Sequence, residues 1–208
     1  GICYDFNAEG NLTLTAEYKD GKLMGGQDFA NGTKDLVKTS RKGNESTFET
    51  TYANGKPRTK FLTQCGMYTK ITKWYPNGKA YVSYDFLSGR KEGKYLYQAL
   101  NGQVLREGTF VDNREEGVWS TFYDNGKLDS KGSYLRGKYD STWTYRYENG
   151  QISSVVEYLD DERHGITRIY SPDGKPIIEK LYYHGNLVSY RMISNENASA
   201  WIPFRGDA

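Results

Sequence analysis

The sequence is poor in the residues that build disulfide-rich or membrane-spanning proteins. Its 208 residues include only 2 Cys and 5 Pro. No run of apolar residues approaches the roughly 18 that a transmembrane helix needs. Two cysteines are too few for a disulfide framework. We therefore expect a chain without a transmembrane segment whose stability does not come from disulfides.

An excess of charge of one sign is also missing. The 28 basic and 26 acidic residues nearly cancel and are interspersed along the chain. Nucleic acids and anionic membranes attract proteins through blocks of positive charge. We expect no nucleic-acid partner, and contact with a membrane only as peripheral association.

Aromatic residues and glycine are abundant. The chain has 19 Tyr, 8 Phe, 4 Trp and 23 Gly, although only 37% of its residues are hydrophobic. Aromatic and β-branched side chains suit the half-buried surface of a sheet. This composition favours an extended, β-rich protein over a compact sphere, which buries more aliphatic side chains.

A short turn phrase recurs along the whole chain at intervals of 22 to 24 residues. Six of its eight glycines follow Asn, one follows Asp and one follows Glu. Asn-Gly is the preferred centre of a two-residue type I′ hairpin turn, which needs positive φ at both positions. The glycines that mark the phrase are Gly10, Gly32, Gly55, Gly78, Gly102, Gly126, Gly150 and Gly174.

A second turn is expected halfway through each repeat. The stretches SGRKEGK, DNREEGV, RGKYDST and DDERHGI place it near Gly93, Gly117, Ser141 and Gly165. Each repeat then reads strand, turn, strand, turn, which is a β-meander. Residues at even offsets from the turn glycine lie on one face of a strand, and that face is rich in aromatics.

These observations predict an all-β fold: an elongated, single-layer antiparallel sheet of about eight β-hairpin repeats, open and gutter-like. The hairpin-repeat array covers 1–186 and is clearest over 75–186. Repeat arrays need caps at their ends, and residues 187–208 lose the period but contain Trp201, Ile202 and Phe204. We predict that 187–208 form a C-terminal cap; a flexible tail is the alternative.

The stretches YPNGKAYVSYDFLSGRKEGKYLYQ, YDNGKLDSKGSYLRGKYDSTWTYR and SPDGKPIIEKLYYHG resemble MORN-repeat variants. The resemblance is clear over 75–186 and looser over 1–74. This family is often labelled the antitoxin component of a toxin–antitoxin system. The resemblance implies an open sheet of hairpins and a role in protein–protein interaction, membrane-surface attachment or antitoxin-like neutralisation. It implies no catalytic residues.

One acidic turn is a candidate for chemistry. His164 follows Asp160, Asp161 and Glu162, and such groups can hold calcium or act as acid and base. The equivalent turns are similarly charged, so a solvated turn is the better interpretation. We expect no catalytic, cofactor-binding or metal-binding residue.

The two thiols are expected to stay apart. Cys3 and Cys65 lie about two repeats from each other, and a disulfide needs Cα atoms within about 7 Å. A bridge would require the N-terminal segment to fold back, so we predict none.

The aromatic face has two interpretations. Its rings are either a core that stacks across strands or, where the sheet leaves them uncovered, a groove for a partner. In the second case the partner-binding residues are the densest aromatic cluster, namely Trp119, Tyr123, Trp143, Tyr145 and Tyr147.

The sequence thus predicts a non-catalytic interaction scaffold with a protein partner, acting as a monomer or weak homo-oligomer. The partner would meet the aromatic surface or add a strand to an open sheet edge. A surface protein that binds carbohydrate or peptide through an aromatic stripe is the alternative, and an enzyme at the His164 turn is a further one. Because the chain starts with Gly, we expect an exported bacterial protein (periplasmic, outer-surface or secreted); a cytoplasmic one is the alternative.

Overall fold

The computed structural model describes residues 1–6, 12–20, 22–28, 35–36, 38–65, 67–194 and 197–204. These residues form antiparallel strands and turns, and none of them lies in a helix. Accordingly, the described part of the chain contains no helix that could span a membrane. The chain divides into two compact units, Gly1–Gly102 and Gln103–Ala208. The prediction of an all-β, antiparallel hairpin-repeat fold is confirmed.

The first unit contains two sheets. Four strands form one sheet in chain order, and six later strands form hairpin after hairpin. Within the described residues the fourth strand does not pair with the fifth, so the first four strands form a sheet of their own. The strands are β1 (Ile2–Phe6), β2 (Leu12–Lys19), β3 (Lys22–Asp28), β4 (Asp35–Leu36), β5 (Lys38–Lys42), β6 (Glu45–Thr51), β7 (Pro57–Gln64), β8 (Met67–Trp74), β9 (Ala80–Leu87) and β10 (Arg90–Gln98).

The second unit is one meander in which each long strand pairs with the next long strand, and the two-residue strand β16 pairs with β15. Two short strands follow the last long one and both pair with it. The strands are β11 (Val104–Val111), β12 (Arg114–Phe122), β13 (Leu128–Leu135), β14 (Lys138–Arg146), β15 (Ile152–Leu159), β16 (Glu162–Arg163), β17 (Gly165–Tyr170), β18 (Pro176–Tyr183), β19 (Asn186–Ser194), β20 (Asn197–Ala198) and β21 (Ile202–Pro203).

The Asn-Gly turns are not type I′ turns, which corrects the prediction. The glycine has positive φ (87° at Gly126), but the preceding Asn125 is not among the residues with positive φ. Gly126 N–H donates to Tyr123 O, and Tyr123 N–H donates to Lys127 O, both at 2.9 Å. This is a three-residue loop, a type I turn followed by a left-handed glycine. Gly10 and Gly32 lie outside the described residues.

Type I′ turns occur at the other end of the hairpins from β9 onward. Two consecutive residues there have positive φ, as in Arg136–Gly137 and Asp160–Asp161. These turns lie four to five residues before the predicted positions. Gly117 also has positive φ, but it lies inside β12, where the register with β11 shifts, and therefore forms a β-bulge. A glycine with positive φ occurs both in type I′ turns and in β-bulges, so the glycine alone does not show which of the two is formed.

The recurring phrase joins each turn to the next one. In the turn at Asn149, the Tyr147 hydroxyl donates to Tyr170 O at 2.7 Å, and Asn149 Nδ2 donates to Pro172 O at 2.7 Å. The phrase at Asn54 bonds in the same way to Trp74 O and Pro76 O. We call these bonds the turn ladder. Lys side chains of the phrase donate to the next turn as well, as from Lys56 Nζ to Asn77 O at 2.7 Å. These bonds give Tyr, Asn and Lys a structural reason to recur.

In the first unit the two sheets pack through Tyr18. Phe48 in β6 is buried, and Tyr18, Phe61 and Tyr68 pack against it. The Tyr18 hydroxyl also donates to the Tyr68 hydroxyl at 3.2 Å. The sheet of β1–β4 therefore covers part of the aromatic face of the hairpins that follow.

The end of the second unit is closed by its own chain. β19 extends to Ser194, beyond the predicted array boundary at 186. β20 and β21 then pair with β19, and Phe204 N–H donates to Val188 O. The Arg191 guanidinium lies 4.8 Å from the centre of the Trp201 ring. The described residues from 197 to 204 thus cover much of the β19 edge, which reduces its capacity to accept a further strand.

A buried carboxylate joins the last strands. Glu179 in β18 accepts from Arg168 Nε and from Arg191 Nε, both at 2.7 Å. Burial alone would raise the pKa of Glu179, but hydrogen bonds from the two guanidinium groups outweigh it and lower that pKa. The three side chains connect β17, β18 and β19.

Candidate functional site

The two tryptophans of the predicted aromatic groove belong to the core of the second unit. Trp119 is 1% exposed and Trp143 is 3% exposed. The Trp119 ring contacts Phe110 and Tyr134 edge to face, at centroid distances of 5.2 and 6.0 Å. Neither indole is available to a partner. Both rings are therefore part of a core that stacks across strands, which is the first of the two interpretations of the aromatic face.

A glycine in the preceding strand makes room for each indole. A Cβ built on Gly108 would lie 2.1 Å from Trp119 Cδ2, and one on Gly132 would lie 2.1 Å from Trp143 Cδ2. Each indole N–H is also satisfied: Trp143 Nε1 donates to Ser133 O at 2.9 Å. Both indoles are therefore fixed in place.

The three tyrosines of the predicted groove are half-buried and have structural contacts. Tyr123 and Tyr147 donate to Arg146 O and Tyr170 O in the turn ladder. Tyr145 stacks on Trp143 at 6.2 Å. Burial, followed by a hydrogen bond with the Tyr158 hydroxyl, raises the pKa of Tyr145.

The carboxylates before His164 contact neighbouring groups in the turns. Asp160 forms an ion pair with Lys138 Nζ at 2.7 Å. Asp161 Oδ1 accepts from Tyr139 N–H at 2.6 Å. Glu162 lies 3.3 Å from His184 Nδ1. These contacts join successive type I′ turns, as expected for a structural turn.

Among the described residues, no group of three or more His, Cys, Asp or Glu side chains could hold a metal ion. Cys65 is a free, exposed thiol. The side chain of Cys3 lies outside the described part of the structure.

Sequence reasoning missed one exposed apolar surface. The residue directly before each type I′ turn of the second unit is large and apolar, yet exposed. We call this set the turn-edge stripe. It consists of Val111 (42% exposed), Leu135 (51%), Leu159 (47%) and Tyr183 (61%). The equivalent residue of the first unit, Leu87, is exposed as well.

The turn-edge stripe lies on the face opposite to the core. Phe110 and Tyr134, which directly precede Val111 and Leu135, are buried. Because successive side chains of a strand point to opposite faces, the stripe residues point outward. They come from β11, β13, β15 and β18, so they recur on alternate long strands of the meander.

A groove of about 630 Å³ lies at the two central residues of the stripe. Its apolar lining is Leu135 and Leu159. Its polar lining consists of Lys138, Asp140, Asp160, Glu162 and His184. Three carboxylates therefore surround two leucines, and the only ammonium group of the lining is already paired with Asp160.

The sequence did carry a signal for the stripe. Its members stand nine residues after the turn glycines Gly102, Gly126, Gly150 and Gly174. The recurrence of a large apolar residue at offset nine, next to a polar turn, could therefore have been read from the sequence.

Three consecutive segments of the chain match the family described as MORN repeat variant. The matched residues are 115–135, 139–160 and 163–184. These three segments are similar to MORN-variant repeats. Each of them contains one Asn-Gly or Asp-Gly turn and ends at or directly before a type I′ turn.

Other comparisons add little. No curated protein matches the chain. Among solved structures, a chain of the "Crystal Structure of TcdB2-TccC3" is similar at 12% identity with a TM-score of 0.26. The likeness covers 92% of this chain and only 14% of that one. A likeness at this TM-score supports no conclusion about fold or function.

Proposed function

We propose that the protein is a non-catalytic scaffold that binds a protein partner through the turn-edge stripe of its second unit. MORN-variant repeats are compatible with such a role. The observation that carries the proposal is the exposure of one large apolar side chain per repeat at a fixed position. Aligned exposed apolar residues with a polar rim are typical of protein-binding surfaces.

This binding surface lies on the face opposite to the aromatic one, which the sequence favoured. Trp119 and Trp143 are buried, so a carbohydrate site made of exposed indoles is disfavoured at these positions. An antitoxin is one special form of the scaffold, in which the partner is a toxin inhibited on binding.

Site-specific photo-crosslinking tests the proposal. A benzophenone amino acid replaces Leu159 in one variant and Ile177 in a matched control, and both are expressed in cells that naturally make the protein. Ile177 is also exposed (38%) but lies at the other end of β18 from Tyr183. We expect position 159 to give a defined protein adduct that position 177 does not give. The adduct should disappear when Leu135→Ser is added.

Equal adducts from both positions, or adducts with lipid or glycan only, would contradict the proposal. Mass spectrometry of the adduct identifies the segment that lies on the stripe.

A further inference from the structure

We propose that the groove along the turn-edge stripe takes a basic polyproline II segment with an apolar residue at every third position. This inference rests on the proposed function and adds the chemistry of the partner. It follows from three features of the second unit: the spacing of the stripe, its width and the charge of its rim.

The spacing of the stripe sets the period of the partner. Neighbouring strands lie about 4.8 Å apart, so residues on alternate strands recur about every 9.6 Å. A polyproline II helix has three residues per turn and rises about 3.1 Å per residue, which gives about 9.3 Å per turn. Every third side chain of such a segment therefore meets a stripe residue. Over the three intervals from Val111 to Tyr183 the mismatch is only about 1 Å.

Other peptide conformations fit less well. In a β-strand the side chains of one face recur about every 6.7 Å, so they fall out of step at the second contact. In an α-helix the heptad repeat is about 10.5 Å, and the mismatch grows to nearly 3 Å over three intervals. A helix also presents an apolar face more than one residue wide, whereas each strand of the stripe contributes a single residue to it.

The charge of the rim sets the charge of the partner. Asp140, Asp160 and Glu162 line the groove, and Lys138 is paired with Asp160. Arg163, which follows Glu162, turns away from the groove: its Nη1 donates to the Tyr182 hydroxyl, and its guanidinium lies over the Tyr182 ring. The rim is therefore acidic, which favours Lys or Arg between the apolar residues of the partner.

Peptide binding to the full chain tests this inference. The probe is a fluorescent (Leu-Pro-Lys)5 peptide. One control is an isomer of the same composition in which Leu has no three-residue period, and another is (Leu-Pro-Glu)5. Anisotropy at about 0.15 M salt, where surface charges are still felt over roughly 8 Å, gives the three affinities. We expect the first peptide to bind at least tenfold more tightly than either control.

Variants of the protein locate the binding. Leu159→Ser and Asp160→Lys should each weaken binding of (Leu-Pro-Lys)5 about tenfold, whereas Ile177→Ser should leave it unchanged. All three changes are at exposed positions, and circular dichroism verifies that each variant is folded.

The outcomes separate this inference from the proposed function. If the scrambled or the acidic peptide binds as well as (Leu-Pro-Lys)5, or if the Leu159→Ser variant binds it normally, the inference is wrong. A protein adduct from position 159 would then leave the proposed function intact, with a partner of different chemistry. If that adduct is missing as well, both fail.

Discussion

The indole of Trp143 rests on the backbone of Gly132, so closely that a Cβ at position 132 would lie 2.1 Å from the ring. The same relationship joins Trp119 to Gly108 one repeat earlier. One repeat later, the equivalent positions hold Val156 and Thr167, and both are buried. The pair of a glycine and a tryptophan is thus replaced, one repeat later, by a pair of side chains of intermediate size.

Gly132→Ala should destabilise the protein because its methyl group has no space beneath the Trp143 indole. Adding a methyl group to a packed core typically costs about 1–3 kcal/mol. Urea unfolding of the parent and the variant measures the difference.

A double-mutant cycle tests the cause. Gly132→Val alone should destabilise the protein for the same reason as Gly132→Ala. Trp143→Thr alone should also destabilise it, because it removes a buried ring. The double variant Gly132→Val/Trp143→Thr copies the Val156 and Thr167 arrangement, and it should be more stable than the sum of the single changes predicts, by about 1 kcal/mol or more. Additive effects would show that the two positions do not share space.

Tyr147→Phe should remove one bond of the turn ladder and keep the ring. The hydroxyl donates to Tyr170 O at 2.7 Å, and a hydrogen bond of this kind contributes about 0.5–1.5 kcal/mol net. We expect a loss in that range by urea unfolding. Tyr183→Phe is the matched control, because that side chain is 61% exposed. If Tyr183→Phe lowered the free energy of unfolding by as much, the effect of Tyr147→Phe could not be assigned to the turn ladder.

Glu179→Gln should destabilise the protein near neutral pH, because it leaves Arg168 and Arg191 without their carboxylate. Removing one partner of a buried ion pair lowers the free energy of unfolding by about 3–5 kcal/mol. We expect less, about 1–3 kcal/mol, since both arginines are partly exposed.

The effect of Glu179→Gln should depend on pH. The pKa of Glu179 is below its ordinary value of 4.5. The carboxylate therefore adds stability above about pH 4.5, and this stability is lost as the pH falls through the lowered pKa. The difference between the parent and the variant should shrink in acid, and a difference that stays constant with pH would exclude this mechanism. Denaturant titrations at several pH values measure it.

Alkaline conditions should weaken the first unit through Tyr81. Burial, and then the nearby Tyr52 and Tyr84, raises the pKa of Tyr81 from 10.0 to about 12. The folded state holds the phenol proton more tightly than the unfolded state. Stability is therefore complete below pH 10 and falls as the pH rises from there through 12.

Tyr81→Phe keeps the ring and removes the proton. We expect the variant to lose less stability than the parent over this interval, with phenolate absorbance and circular dichroism followed together. The same slope in both proteins would show that other groups cause the alkaline loss.

Much of the fold could be predicted from the spacing of the turn glycines. The interval from Gly102 to Gly126 fixes the length of a hairpin unit, because a left-handed glycine is needed at each turn. The assignment of turn types failed for Asn125, whose φ is not positive. Its side chain accepts from Lys127 N–H at 2.9 Å and donates to the next turn. The second bond joins residues 23 positions apart, and such a bond cannot be read from a local dipeptide preference.

The position of the aromatic face could be predicted from the sequence, but the burial of its rings could not. The alternation of side chains along a strand places Trp119 and Trp143 on one face of the sheet. It does not show whether other side chains bury that face. The missing signal was glycine inside a strand, at Gly108 and Gly132, since such a glycine often marks a close approach by another group. Conversely, Leu135 and Leu159 were overlooked because single apolar residues on a surface are common; only their recurrence makes them notable.

The turn ladder also has a direction. The Tyr, Asn and Lys side chains of one turn donate to carbonyl groups of the turn that comes later in the chain, as from Asn125 to Glu148 and from Asn149 to Pro172. A chain that leaves the ribosome from its N-terminus thus presents donors first and receives their acceptors about 23 residues afterwards. Each new hairpin therefore supplies the acceptors for the donors of the one before it.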